Sequence, residues 1–337
     1  MRSNSFVQAA SAAAVLFAAA GIANADPTNI WDFNVFSRST IGTAGSGYGS
    51  DFQGSAGSVG SAWFSGFSLK DVPSASPSLA RAYYGGGSFT LSGAVTNHGI
   101  EVAGNVIMNH ASINGPVFAG GNLSGLGGSL NGSVSLGGTK TVGPAVTVLG
   151  TLSENAPYSP TINVFDVSDQ FLSISNYAAS LAPSTTATNL WGELQIAASG
   201  PLTVVDIAAA DLASAWGIKI SGAGTVVINL LGETVSFGSK TWTYADGASG
   251  SSTLLNLNEA TTFNLSGGDH KVSILAPNAA THFSSGLVTG NLIVGSLTGG
   301  GQVNWNPSGG FNGEIPAPGT AALALAGMGL MASRRRR

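Results

Sequence analysis

The chain has 337 residues, of which 8% are charged, 43% are hydrophobic and 49 are glycine, and its formal net charge is −4. This composition excludes a disordered chain and favours a β-rich extracellular protein with many tight turns. The absence of cysteine excludes disulfides and cysteine-ligated metals. Of the twelve basic residues, Arg2 and the last four lie at the two ends. The seven that are left give no basic patch, which excludes nucleic acid as a partner.

The first element in chain order is a predicted secretory signal peptide over residues 1–25. Arg2 gives it a positive start, residues 9–22 form its apolar core, and Ala23 and Ala25 give the small-x-small pattern that precedes cleavage. The pattern therefore predicts export, with cleavage after Ala25. A buried N-terminal helix is the alternative, and the cleavage pattern argues against it.

A repeat between residues 85 and 150 indicates the fold. Glycine-led turns recur every seventeen residues, at Gly87, Gly104, Gly121 and Gly138. A fixed short period indicates stacked units, in which each coil pairs in parallel with the next at about 4.8 Å. Glycine and asparagine suit the corners because they tolerate positive φ. We predict a mainly β fold, a parallel β-solenoid with one long α-helix packed alongside; a β-sandwich with regular hairpins is the alternative.

The long helix is predicted over residues 164–181, where apolar residues follow a three-four spacing. Asp166 and Asp169 lie near its start, where carboxylates interact favourably with the helix dipole, and Pro183 marks its end. We expect this helix to lie along the solenoid and to cover its hydrophobic flank.

The rest of the chain is predicted to complete the same domain. A shorter helix is expected over residues 208–216, ended by Gly217, and strand-like runs continue from there to residue 305. These elements predict one folded domain over residues 26–307. The turn-rich stretch 308–314 is then expected to be a linker.

The last segment, residues 315–337, resembles a PEP-CTERM sorting signal. It has a Pro-x-Pro-Gly motif at Pro316, Pro318 and Gly319, with Ala317 where that family has Glu, and then an apolar run. The segment ends with Arg334, Arg335, Arg336 and Arg337. The apolar run would reach about 21 Å as a helix, against about 30 Å of hydrocarbon, which suits a temporary stop in the membrane.

This resemblance implies cleavage by an exosortase-type enzyme while the C-terminal segment is held transiently in the inner membrane. The product would then be released to the outside or attached at the cell surface. A plain C-terminal transmembrane anchor is the alternative interpretation.

The body of the chain resembles the choice-of-anchor A family. The similar blocks are residues 33–60, with a Ser-Asp-x-x-Gly turn, the "AGGNL" coil at 119–123, "VVINLLG" at 226–232, and "ILAPNAATHFSSGLVTGNLIVGSL" at 274–297. Members of that family carry different surface-attachment tails and are regarded as adhesins. The resemblance implies a β-solenoid plus helix, similar to that of some ice-binding proteins.

The histidines and acidic residues do not form a recognisable active site. The histidines are His98, His110, His270 and His282, and none belongs to a zinc-binding motif, so we expect them at the surface or at corners. The close acidic pairs are Asp166 with Asp169 and Asp206 with Asp211, which fall at helix starts or in loops. Asp246 and Asp269 are weak calcium candidates. We therefore predict no catalytic, cofactor-binding or metal-binding residues.

Aromatic and threonine residues give weaker indications. The tryptophans are Trp31, Trp63, Trp191, Trp216, Trp242 and Trp305, and we expect most of them to seal the ends of the fold or the helix interface. Stacking on sugar rings is the alternative role. Ice binding requires a flat array of regularly spaced threonines, whereas "TKT" at 139–141 and "TWT" at 241–243 are isolated.

Together these features predict an exported, non-enzymatic protein of the cell surface or extracellular matrix. We expect it to be an adhesin that needs no cofactor and binds extracellular polysaccharide or matrix protein through a face of the solenoid. The alternative is a carbohydrate-active enzyme, a lyase or hydrolase, on a β-helix scaffold.

Overall fold

The computed structural model describes residues 29–141 and 146–315, which are mainly β with parallel sheets. The first half contains β1 (Phe33–Ser37), β2 (Ser55–Ser58), β3 (Ala62–Ser65), β4 (Ser68–Leu69), β5 (Tyr83–Gly85), β6 (Phe89–Ser92), β7 (Val95–Asn97), β8 (Ile100–Val102), β9 (Val106–Asn114), β10 (Val117–Ala119), β11 (Leu123–Leu130), β12 (Val134–Leu136), β13 (Val146–Val148) and β14 (Leu152–Ser153). The second half contains β15 (Thr188–Leu190), β16 (Glu193–Ala197), β17 (Leu202–Ala208), β18 (Gly217–Ser221), β19 (Thr225–Leu231), β20 (Thr234–Phe237), β21 (Thr241–Ala245), β22 (Thr253–Asn256), β23 (Thr262–Leu265), β24 (Asp269–His270), β25 (Ser273–Phe283), β26 (Leu287–Thr289), β27 (Leu292–Gly299) and β28 (Gln302–Asn304). The helices are α1 (Val164–Ser180) and α2 (Ala209–Ser214), which match the two predicted helices.

The first strand of the chain lies in the middle of the largest sheet. This sheet has the order β14-β12-β10-β8-β5-β2-β1-β27-β25-β22-β19-β17, with β23 and β20 continuing beside β25. Val35 of β1 pairs with Ala56 of β2 on one side and with Leu292 of β27 on the other. The chain therefore builds an N-terminal stack (residues 33–153) outward from β1 and a C-terminal stack (residues 188–304) that returns to it.

Paired parallel strands form rows, which we call ladders. Consecutive strands of the N-terminal stack belong to different ladders, and the order of the ladders repeats. The ladders are β2–β5–β8, β3–β6–β9 and β4–β7–β9, and all of them are parallel. Tyr83, Ile100, Val117 and Val134 lie side by side, each seventeen residues after the last. Among the strands of the described ranges, β15–β16 is the one antiparallel pair. The hairpin-based sandwich is therefore wrong.

The repeated glycines are needed for a different reason from the one predicted. Gly87, Gly104, Gly121 and Gly138 do not lie at positive φ. A Cβ on Gly104 would instead be 2.7 Å from the carbonyl carbon of Gly87, and one on Gly121 would be 2.9 Å from that of Gly104. Each of these glycines thus permits close contact between the backbones of neighbouring coils.

A continuous apolar core fills the interior between the ladders. Its aromatic part runs from Tyr48 through Phe52, Phe64 and Tyr83 to Phe89, with ring centroids 4.8–5.9 Å apart. These rings face inward from adjacent strands, or from residues that form isolated β-bridges to those strands. Their burial stabilises the part of the N-terminal stack that lies next to β1.

Helix α1 covers the outer face of the largest sheet where the two stacks meet. The Asn163 side chain accepts a hydrogen bond from the Phe165 N–H at 3.1 Å, which caps the helix start. Phe171 is fully buried, and its ring lies 5.3 Å from Trp31 and 5.5 Å from Phe36. The helix thus packs beside β1 on the hydrophobic flank, as its spacing predicts.

Buried asparagines attach the same helix to the C-terminal stack. Asn256 donates to the Ser175 carbonyl at 3.1 Å, and the Ser175 hydroxyl donates to Asn256 Oδ1 at 2.7 Å. Asn229 donates to the Ala178 carbonyl and to Asp206, both at 3.1 Å. Since unsatisfied buried polar groups are costly, this network fixes the position of the helix along the sheet.

The segment 308–314, for which we expect a linker, lies against the body. Phe311 is 2% exposed, and its ring centroid is 4.8 Å from that of Trp31. The Asn312 N–H donates to the Ser251 carbonyl at 2.9 Å, and the Glu314 N–H donates to Thr225 Oγ1 at 2.8 Å. The packed body therefore extends as far as Glu314.

Candidate interaction surface

The N-terminal stack presents an asparagine ladder to solvent. Asn97, Asn114 and Asn131 occupy equivalent positions seventeen residues apart. Asn131 Nδ2 donates to Asn114 Oδ1 at 2.7 Å, and Asn114 Nδ2 donates to Asn97 Oδ1 at 3.1 Å. Their remaining amide donors and acceptors lie at the strand spacing of about 4.8 Å and can bind polar groups of a ligand.

A second ladder lies at a corner of the same stack and is structural. Ser88 Oγ accepts from the Asn105 N–H at 3.0 Å. Asn105 Oδ1 and Asn122 Oδ1 accept from the N–H groups of Asn122 and Thr139, both at 2.8 Å. Each side chain thus satisfies the backbone of the next coil, which accounts for asparagine after the repeated glycine.

The small antiparallel unit of the C-terminal stack carries an exposed tryptophan at its tip. Leu190 of β15 pairs with Glu193 of β16, which leaves Trp191 and Gly192 as a two-residue hairpin loop. Their φ angles are 55° and 85°, and the Gly192 N–H donates to Asn189 Oδ1 at 2.9 Å. Two central residues at positive φ are the signature of a type I′ turn. Trp191 is 90% exposed.

A second exposed tryptophan is held against this turn. Trp216 is 53% exposed, its indole N–H donates to the Trp191 carbonyl at 2.9 Å, and its backbone N–H donates to the Gly192 carbonyl at 2.9 Å. A Cβ on Gly192 would be 2.9 Å from Trp216 Cδ1, so glycine leaves the room that this indole occupies. We call Trp191 and Trp216 the tryptophan platform.

Polar side chains lie beside the platform on the sheet β15-β16-β18-β21. Burial alternates along β16 and β18, so that Gln195 and Lys219 face outward on neighbouring strands. Glu193 pairs with Gly217, which follows Trp216, and accepts a hydrogen bond from Gln195 at 3.0 Å. The surface thus combines two indoles with a carboxylate, an amide and an ammonium group.

The histidines do not come together in the structure. His98 and His110 are exposed at φ 68° and 55°, and His282 is exposed with its Nδ1 3.2 Å from Thr298 Oγ1. His270 is fully buried, which contradicts the expected surface position. Its side chain faces inward from β24, and its ring centroid lies 5.3 Å from that of Phe237.

His270 and Lys70 are two of the buried titratable groups of the body. Burial lowers the pKa of His270, which favours the neutral ring. Burial lowers the pKa of Lys70 to about 8, while its ammonium donates to the Leu79 carbonyl. Both contact groups of the protein interior and not an open cleft, so their role is structural.

The acidic residues are also dispersed. The pairs Asp166 with Asp169 and Asp206 with Asp211 lie on exposed parts of α1, β17 and α2. Asp269 accepts a hydrogen bond from Thr289 Oγ1 at 2.8 Å and lies 3.8 Å from Lys271 Nζ. Within residues 29–141 and 146–315, no group of three or more His, Cys, Asp and Glu side chains is placed to hold a metal ion.

Five of the six tryptophans divide into two sets, and Trp63 is half-buried on β3. Trp242 and Trp305 are buried, and Trp31 packs between Phe171 and Phe311, as expected for structural residues. Trp191 and Trp216 differ, because both are exposed to solvent. A Trp-Gly pair between two strand-like runs is the signal that could have identified the hairpin tip.

On the ladder formed by β3, β6, β9 and β11, threonine does not form the regular array that ice binding requires. The aligned outward residues of β3, β6, β9 and β11 are Trp63, Thr90, Ile107 and Ser124. The threonines of "TWT", at 241 and 243, lie instead on the sheet beside the platform. The row on β3, β6, β9 and β11 is therefore mixed in chemistry.

The predicted processing residues lie outside the described residues. They are Ala23 and Ala25 of the signal peptide, and Pro316, Pro318, Gly319, Arg334, Arg335, Arg336 and Arg337 of the sorting segment. Among the helices that the structure describes, none has the length and hydrophobicity needed to span a bilayer.

Comparison with known protein families assigns the body of the chain. Residues 28–305 match the family described as "Putative Ice-binding-like adhesive domain". The chain belongs to this adhesive-domain family. No curated protein and no solved structure matches it. The adhesive domain covers the described strands from β1 to β28 and therefore includes both the asparagine ladder and the tryptophan platform. Membership indicates an adhesin-like, non-enzymatic function at the cell surface or outside the cell.

Proposed function

We propose that this protein is an exported adhesin that holds extracellular polysaccharide or matrix protein without chemical change. The observation that carries the proposal is the asparagine ladder, a row of uncharged hydrogen-bonding groups repeated at strand spacing on an adhesive domain. Such a row makes many weak contacts with an extended polymer. Copies held together in one matrix would strengthen the binding by multivalency.

We further infer that the two stacks form one parallel β-solenoid. Support comes from the three parallel ladders, the seventeen-residue spacing and the pairing of β1 with β27. A rod of this kind would give the polar rows a rigid backing, so that little conformational entropy would be lost on binding. The resemblance to the choice-of-anchor A family supports the same assignment.

The two ends of the chain carry the proposal for localisation. Residues 1–25 would direct export through the inner membrane, and residues 315–337 would act as a PEP-CTERM-like signal for an exosortase-type enzyme. Mass spectrometry of the exported protein tests this. Loss of Arg334–Arg337 together with residues 1–25 is the expected result, and an intact C-terminal segment would indicate a plain anchor.

The adhesive function is tested with a fragment of residues 26–315, which keeps the packed C-terminal segment. The fragment is incubated with immobilised exopolysaccharides and with matrix proteins, and both retention and new reducing ends are measured. Retention without cleavage is expected. Reducing ends that accumulate with time would show a lyase or hydrolase, and failure to bind either class of ligand would contradict the proposal.

A further inference from the structure

The tryptophan at the hairpin tip is unfavourable for stability. A non-glycine residue in the left-handed region is disfavoured, and the first position of a type I′ turn prefers asparagine, aspartate or glycine. Trp191 occupies that position and is 90% exposed, so burial gives almost no compensation. A residue that is both strained and unburied points to a role in binding.

The surroundings of Trp191 fix the turn backbone and the Trp216 side chain before any ligand arrives. The indole N–H of Trp216 is satisfied by the Trp191 carbonyl, and Asn189 fixes the turn through the Gly192 N–H. The second indole is therefore held against the turn by hydrogen bonds and by the space that Gly192 leaves. Pre-organisation of this kind reduces the entropy lost when a ligand binds.

We propose that the tryptophan platform is a sugar-binding site, which stacks its indoles on pyranose rings of a neutral polysaccharide. A pyranose has C–H faces that pack on an aromatic ring and a rim of hydroxyl groups that need donors and acceptors. The indoles supply the aromatic rings, and Glu193, Gln195 and Lys219 supply the hydrogen-bond donors and acceptors. Glu193 and Lys219 balance in charge, and the Lys240 ammonium near Trp216 already donates to the Ala213 and Ala215 carbonyls, which favours a neutral chain over an acidic one.

This inference rests on the proposed adhesive function and adds to the asparagine ladder a second binding site with a named ligand class. A protein surface or a second copy of this chain would also cover exposed indoles. Hydroxyl-bearing rings fit better because Glu193, Gln195 and Lys219 beside the platform are hydrogen-bonding groups, although Leu190 next to the turn is also exposed.

The test uses the purified full-length chain in native gels cast with glucomannan, hydroxyethyl cellulose or alginate. Trp191→Asn is the informative variant, since asparagine suits the turn and should leave the melting temperature unchanged or higher. We expect the neutral gels to retard the parent protein and the variant to bind about tenfold more weakly, the effect of losing one aromatic contact. Trp216→Ala should weaken binding similarly. Phe165→Ala, at an exposed aromatic residue on α1, is the matched control and should bind like the parent.

The other outcomes separate this inference from the proposed function. Equal retardation of the parent and of Trp191→Asn would place sugar binding elsewhere and overturn the site, while the adhesive function would stand. Retardation by alginate alone would overturn the neutral ligand class. Binding to matrix protein with no retardation in any gel would overturn the sugar-binding site only. A dimer of the parent in sedimentation that Trp191→Asn abolishes would show that a second copy covers the platform.

Discussion

The two stacks share parallel pairing but obtain their regularity in different ways. In the N-terminal stack, β5, β8, β10 and β12 follow one another at seventeen residues, and glycines let adjacent backbones touch. In the C-terminal stack the spacing of residues paired in parallel ranges from 28 between β20 and β23 to 15 between β26 and β28. Its order depends on buried side chains such as Asn229 and Asn256.

The difference shows which stack can accommodate longer loops. Coils that stack through their own backbones at every corner have little room for insertions. Coils joined by side-chain hydrogen bonds under a covering helix can carry longer loops, since the cost of loop closure rises slowly with length. The tryptophan platform lies in the C-terminal stack, at the hairpin β15–β16.

The largest expected loss of stability comes from replacing Asn291, whose hydrogen bonds form the junction between the two stacks. Its Nδ2 donates to the carbonyls of Trp31 and Phe33 at 2.8 and 2.7 Å, and its Oδ1 accepts from the Phe311 N–H at 2.7 Å and the Ser273 hydroxyl at 2.9 Å. Asn291→Ala leaves these buried groups unpaired. We expect the free energy of unfolding to fall by about 4 kcal/mol, measured by urea denaturation.

The control for this variant is Asn264→Ala in the same stack. Asn264 is exposed and makes one hydrogen bond, to Ser236 Oγ at 3.1 Å. Its loss should change the free energy of unfolding by about 0.5 kcal/mol. If the two variants were equally stable, the junction would not be what joins the stacks.

A smaller effect is expected from Gly99 in the N-terminal stack. A Cβ there would be 2.1 Å from the Pro116 carbonyl oxygen, and φ is +77°. Gly99→Ala should therefore destabilise by about 3 kcal/mol, since it combines backbone strain with a clash between coils. Gly93→Ala is the control, because Gly93 has φ +60° but open space around it, and it should lose only about 1 kcal/mol. Equal losses would mean that contact between coils adds nothing to the strain.

Much of the N-terminal stack could be predicted from the sequence, and much of the C-terminal stack could not. The repeated glycines reveal their period because each one touches the next coil. Helix α1 can be predicted because the apolar residues on one side of it recur at helical spacing. The pairing of β1 with β27 joins residues about 260 apart in sequence and leaves no local pattern. The tryptophan platform was missed because Trp191 and the buried Trp242 look alike until the hairpin places one of them in solvent.

The ladder of Asn105 and Asn122 at the corner should contribute less to the free energy of unfolding than the glycines do. Asn122→Ala removes the acceptor for the Thr139 N–H, and we expect a loss of about 1 kcal/mol in urea denaturation. Thr139→Ala is the control, because the backbone of Thr139, and not its side chain, takes part in the ladder. It should stay within about 0.5 kcal/mol of the parent. A larger loss at Thr139 than at Asn122 would contradict the ladder.

The smallest effect is a pH dependence that belongs to the C-terminal stack. Burial lowers the folded-state pKa of His270, the backbone of Gly267 and Ser266 and then Asp269 oppose this, and Lys240 makes the smallest contribution, which lowers the pKa. The unfolded chain, with a histidine pKa of about 6.5, therefore takes up the proton first as the pH falls. Stability should be constant above about pH 7 and should decline towards pH 5. His270→Phe should remove part of that decline, whereas His282→Phe, at an exposed site, should preserve it. Parallel melting curves for the parent and His270→Phe across this range would show that the buried ring does not make the stack sensitive to acid.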